Sequence, residues 1–123
     1  MSVRGIRGAI TVEANDSKQI LDASVTLLNA IVEVNGILPE DIAGIMITVT
    51  QDLDAAFPAK SIRQLEGWEF VPLMCSLEIA VEGSLERCIR FMVLANTDLK
   101  QSDMRHVYLG EAVKLRPDLS AAR

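Results

Sequence analysis

The chain is 123 residues long and half apolar, with 12 Lys+Arg against 17 Asp+Glu for a formal charge of −5. That length suits one domain, residues 1–123, able to bury a core without a metal or disulfide staple. The acidic balance argues against nucleic acid and anionic membranes as partners, and one Trp, one Tyr and three Phe leave few platforms for stacking bases.

VRGIRGAITV at 3–12 reads as a strand with Ile6, Ile10 and Val12 on one face and Gly5, Arg7, Ala9 and Thr11 on the other. Arg7 then projects over small neighbours, where it can meet a ligand. The alternative is an edge-strand charge that keeps the sheet soluble. A helix follows from about Ser17 to Asn35. Asn15, Asp16 and Ser17 are its N-cap candidates, and Ile20, Leu21, Val25, Leu28, Ile31 and Val32 form an apolar stripe. Gly36 supplies the left-handed stop. LPEDIAG at 38–44 suggests a short helical turn leading into a second strand, Ile45–Thr50.

QDLDAAFPAK reads as a loop, with Pro58 ending or starting an element, and a short helix through Gly67 follows it. Lys60 and Arg63, three apart, share one side of it while Ile62 and Leu65 anchor the other. The cationic pair suits a lid over an anionic ligand, or simply a solvated face. Strands resume at Glu69–Cys75 and Arg87–Thr97, joined by EIAVEGSLE. In RCIRFMVLANT, Cys88, Arg90, Met92 and Leu94 share one face and Ile89, Phe91, Val93 and Ala95 the other. Both faces are apolar, which predicts a central strand covered on both sides. Arg90 is the odd member of a core-facing row. A buried guanidinium is costly unless paired, so it needs a carboxylate, with Glu78 available, or an anionic ligand. Arg105–Leu109 is a last short strand, with a lone His106 that reads as structural. The tail from about 117 to 123 is expected to be loose.

The chain holds no Gly-rich phosphate loop, no HExxH, no nucleophile elbow and no paired Asp cluster. Neither a cofactor nor a metal is expected. Cys75 and Cys88 are too few and too irregularly spaced for a disulfide framework or a zinc site, which fits a reducing compartment. The start MSVRGIRGAI lacks the features of a secretory signal, and no apolar run reaches the roughly 18 residues of a membrane span. A cytoplasmic location is expected. Mean hydropathy of +0.26 is high for so small a monomer, and contacts between subunits would absorb the excess apolar surface. What remains is a surplus of single cations at element ends: Arg7, Lys60, Arg63, Arg90 and Arg116. Beside them stand one carboxylate (Glu78), one thiol (Cys75) and one phenol (Tyr108). Such a set can bind a small polycarboxylate and stabilise charge, and it is poorly equipped for hydrolysis or redox work.

Five blocks in order carry a family resemblance: RGIRGAITVE, FPAKSIRQLEGWEFVP, RCIR, RHVYL and LRPDLS. They closely resemble the small α/β class of chorismate mutase, distinct from the all-helical class, from about residue 3 to 120. The resemblance implies an α+β fold: a mixed sheet flanked by helices, three subunits around a pseudo-α/β-barrel core, and active sites between neighbours. It implies the isomerisation of chorismate to prephenate in phenylalanine and tyrosine biosynthesis, a branch of the shikimate pathway.

Carried over by motif, Arg7, Arg90 and Tyr108 bind substrate carboxylates, and Arg90 also contacts the ether oxygen of the breaking bond. Cys75 and Glu78 hold the ring hydroxyl, with backbone from Leu73 and Met74 lining the pocket. Phe57, Ala59, Lys60 and Arg63 close the mouth, helped by Leu115 and Arg116. The family usually has a small polar residue where this chain has Met74, a change that spares a backbone contact but not a hydroxyl contact. The rival reading is a non-catalytic trimeric sensor of small carboxylates. Glu78 beside Arg90 separates the two, because a binder of anions has no use for a carboxylate facing its ligand.

Overall fold

The spacing of apolar residues between Ser17 and Asn35 yields a 19-residue helix, α1, with those bounds. Of the three cap candidates Asp16 is the one used. Its Oδ2 accepts from the Gln19 backbone N–H at 3.0 Å, and Gly36 closes the helix at φ 61°. The computed structural model of the chain describes residues 1–115. The expected loose tail and Arg116 lie outside them.

Around α1 the chain forms five strands: β1 (Ser2–Thr11), β2 (Ile42–Val49), β3 (Leu73–Leu77), β4 (Cys88–Thr97) and β5 (Val107–Leu109). A second short helix, α2, spans Ala59–Arg63. The strands make one mixed sheet in the order β3-β2-β4-β1-β5. β4 is antiparallel to both β1 and β2, while β3 and β5 run parallel to β2 and β1 as the outer strands.

Three strand starts differ from expectation by two residues or more. β2 begins at Ile42 rather than Ile45 because an irregularity between Ile42 and Gly44 lets the strand continue past the Pro39–Asp41 turn. β3 begins at Leu73 and not Glu69. The chain before it is still turning through Trp68 N–H to Leu65 and Val71 N–H to Trp68, and Pro72 has no N–H to offer a ladder. β5 begins at Val107 because the Arg105 N–H is taken by the Asn35 side chain at 2.8 Å.

Alternation places one face of the sheet against α1. Ile6, Ile45, Ile47, Ile89, Phe91 and Val93 pack there with Ile20, Leu27, Leu28 and Ile31 in the main core. Gly8 sits where α1 comes closest, since a Cβ there would lie 2.5 Å from Ile31 Cδ1.

The other face corrects the expectation of a doubly covered β4. Within one copy and among the described residues, only the Cys88 end of that face is covered, by a small cluster of Ala9, Cys88, Tyr108 and Ala112 with Leu85 and Leu115 against it. Further along, Arg90, Met92 and Leu94 are half-buried, and Met46 and Met74 stand 51% and 68% exposed. Arg90 therefore belongs to an open face of the sheet and not to the packed core.

Candidate functional site

Strand register builds the site. Arg7 on β1 lies opposite Met92 on β4, and Ala9 lies opposite Arg90 on one side and Tyr108 on the other. On its far side Arg90 pairs with Thr48 of β2. Because side chains two apart share a face, Arg7, Arg90, Tyr108 and Thr48 all border the same cleft, about 600 Å³ in volume, with Met46 and Leu115 at its sides. Ala9 leaves room between the two cations and the phenol.

Glu78 reaches this group from the end of β3. Its backbone N–H donates to the Val49 carbonyl at 2.9 Å, extending the β2–β3 pairing by one residue. Its Oε1 then lies 3.5 Å from Arg90 Nε, an ion-pair contact that is not a hydrogen bond, and Thr48 Oγ1 donates to its Oε2. The Arg90 side chain is 41% exposed and that of Glu78 is 23% exposed, so the pair sits at the rim between sheet and solvent.

Two buried polar atoms of the described residues have no hydrogen-bond partner, Arg90 Nε and the Tyr108 hydroxyl. Both belong to residues of this cleft. Buried donors are almost always satisfied, so the pair marks a place where an oxygen-rich ligand can supply acceptors. Among the described residues the Arg7 guanidinium makes no ion pair either. The Arg7 backbone N–H donates to His106 Nδ1 at 2.9 Å, which gives the histidine a structural role in holding β1.

The remaining predicted residues lie elsewhere. Phe57, Lys60 and Cys75 line a second groove of about 620 Å³, beside Asp54, Pro58 and Leu77. Cys75 is on the α1 side of β3, the opposite face from Arg90, and packs against the main core. In one copy Cys75 and Glu78 therefore do not converge on one group. Ala59 is buried, backbone and side chain alike, so within one copy it presents no surface to a ligand. Arg63 is exposed at the end of α2, and Leu73 is half-buried against the core.

Thr48 was not among the predicted site residues. The available signal was its place as the hydroxyl-bearing position beside Met46 in an otherwise aliphatic strand, IAGIMITV. Its link to Glu78 spans 30 residues and is invisible to local pattern.

Fold and cleft together describe a small α/β protein that gathers cations, one carboxylate and a phenol without a metal cluster among the described residues. A family model described as chorismate mutase type I matches residues 3–119. The chain is 47% identical over 123 residues to chorismate mutase AroH of Bacillus subtilis (strain 168), covering 100% of this chain and 97% of that protein. It is 52% identical over 122 residues to chorismate mutase AroH of Thermus thermophilus, covering 98% and 99%. A solved chorismate mutase from Clostridium thermocellum superposes with a TM-score of 0.85 at 49% identity, over 88% of this chain and 96% of that one. The chain belongs to the chorismate mutase type I family, the small AroH-type class. It is an isomerase that converts chorismate to prephenate.

Proposed function

We propose that the cleft between Arg7, Arg90, Glu78 and Tyr108 is where the rearrangement occurs, and that a second copy of the chain completes it. The observation that carries this reading is the convergence of Arg7, Arg90 and Tyr108 on one cleft, with Glu78 ion-paired to Arg90 beside it and the Tyr108 hydroxyl and Arg90 Nε buried and unpartnered. The reaction is concerted and intramolecular, so it needs no nucleophile, no general base and no cofactor. As the C–O bond breaks, negative charge grows on the ether oxygen and positive character on the ring. A preorganised Arg90 aimed at that oxygen stabilises the transition state more than the ground state. The Glu78 carboxylate accepts a hydrogen bond from the ring hydroxyl and faces the electron-poor ring.

Arg7, Arg90 and Tyr108 hold the two carboxylates, which selects the folded conformer in which the bond-forming carbons already meet. The groove of Phe57, Lys60 and Cys75 lies apart from this cleft within one copy. Its use, with Arg63 at the mouth, is supported if the groove of one copy faces the cleft of the next. The open face bearing Met46, Met74 and Met92 supports the same assembly, because a neighbour would remove that apolar surface from water. A homotrimer of single-domain chains, 1–123, working in the cytoplasm with neither nucleic acid nor membrane as partner, is the assembly we favour. No helix among the described residues is long and apolar enough to cross a membrane.

The test is turnover of chorismate with prephenate identified as product. Arg90→Ala is expected to lose at least ~10²–10³ in kcat, the scale of a lost transition-state donor. Arg90→Lys is expected to fall with it, since lysine keeps the charge but not the planar fork. Wild-type turnover in Arg90→Lys would overturn this assignment.

A further inference from the structure

We infer that Thr48 is a positioning residue for the reaction, acting through Glu78 to keep Arg90 available to the substrate. The inference deepens the reading of Arg90 and Glu78 given above and rests on it. Three contacts define the arrangement. Thr48 stands directly across the strand pair from Arg90, its Oγ1 donates to Glu78 Oε2, and Glu78 Oε1 lies 3.5 Å from Arg90 Nε. The Glu78 backbone N–H is held by Val49, the next residue of the same strand, at 2.9 Å. β2 thus grips Glu78 twice, once by main chain and once by side chain.

The physical consequence concerns which arginine nitrogens remain free. A carboxylate beside a guanidinium gains most by turning both oxygens onto its fork in a bidentate pair. Here one oxygen is occupied by the Thr48 hydroxyl, so Glu78 approaches Arg90 through Oε1 at Nε. That contact is too long to be a hydrogen bond, and it leaves Nε without a hydrogen-bond partner. A guanidinium not closed by a bidentate carboxylate keeps donors for a substrate oxygen. Without the hydroxyl, Glu78 is free to rotate and close the fork, which neutralises the guanidinium and moves its own charge off the position facing the ring.

The Thr48 hydroxyl suits this task better than a cation. It is neutral, so it leaves Glu78 its full charge. Its β-branched Cβ also fixes the donor's direction from a strand rather than a mobile loop. The other residue paired with Thr48 in the sheet is Ser76 of β3, which is exposed.

The experiment compares steady-state kinetics of Thr48→Val, Thr48→Ser and Glu78→Ala, with Thr48→Val also made in the Glu78→Ala background. Valine keeps the shape and strand preference of threonine and lacks only the hydroxyl; serine keeps the hydroxyl. Thr48→Val is expected to lower kcat by about 10- to 100-fold, the scale of a hydrogen bond to a charged group, with a smaller change in KM. Thr48→Ser is expected to restore most of that loss. In the Glu78→Ala background Thr48→Val should cost nothing more, because the residue it acts through is gone. Wild-type kcat in Thr48→Val, equal losses in the serine and valine variants, or additive losses in the double variant would each overturn the proposal. A Glu78→Ala protein with unchanged kcat would instead overturn the reading of the Arg90–Glu78 pair itself.

Discussion

A guanidinium that is 41% exposed, with its Nε unsatisfied, is placed to gain a partner rather than to hold the fold together. Two residues earlier on the same strand the balance is reversed. Cys88 is wholly buried against Ala9, Tyr108 and Ala112. Burial pushes its thiol up from 9.0 to about 11, with the Arg90 charge opposing the shift. The unfolded chain releases that proton near the ordinary thiol value. The stabilisation tied to the neutral thiol is therefore complete below about pH 9 and lost as pH climbs toward 11. Its size is about 2–3 kcal/mol. Urea unfolding at pH 8 and pH 11 checks this: the wild-type chain is expected to lose more stability over that range than Cys88→Ala. Equal losses would show that the thiol is not held neutral by the fold.

At the scale of elements, α1 lies closest to β1 at Gly8, the tightest of the described glycine positions. A Cβ on Gly8 would come within 2.5 Å of Ile31 Cδ1 and 3.1 Å of Leu27 Cδ1. Both are side-chain ends, so Gly8→Ala is expected to fold but to lose about 1–3 kcal/mol by overpacking, read by denaturant midpoint. An unchanged midpoint would mean the helix shifts freely on the sheet.

The same elements show what was legible in advance. The stripe from Ile20 to Val32 and the stop at Gly36 depend on neighbours within a few turns, and α1 has its predicted ends. The two-residue alternation of RCIRFMVLANT identified the faces of β4, and Arg90 stood out on one of them. How far each face is covered was not legible. That depends on which elements return to it, and among the described residues only the Tyr108 and Ala112 region does. The start of β3 was misplaced because Glu69–Val71 have strand-like composition but are held in turns ahead of Pro72. Thr48 escaped notice because its partner, Glu78, arrives from another strand.

For the whole molecule, a formal charge of −5 conceals a local excess of cations at one cleft. Arg7 and Arg90 border that cleft, while Lys60 stands in a separate groove, so an acidic protein can still draw a dianion to one place. The separation is the central structural point: within one copy the cleft of Arg7 and Arg90 and the groove of Phe57, Lys60 and Cys75 are distinct cavities. If the groove of one copy meets the cleft of the next, two differently impaired chains can repair each other. Arg90→Ala damages the cleft and spares the groove, whereas Lys60→Ala with Arg63→Ala does the reverse. Co-expressing the two and measuring kcat/KM for chorismate in the purified mixed oligomer is the most direct test. The account predicts activity well above that of either variant made alone, from sites that pair an intact cleft with an intact groove. Activity no greater than the average of the two separate variants would contradict it and place the whole site within one chain.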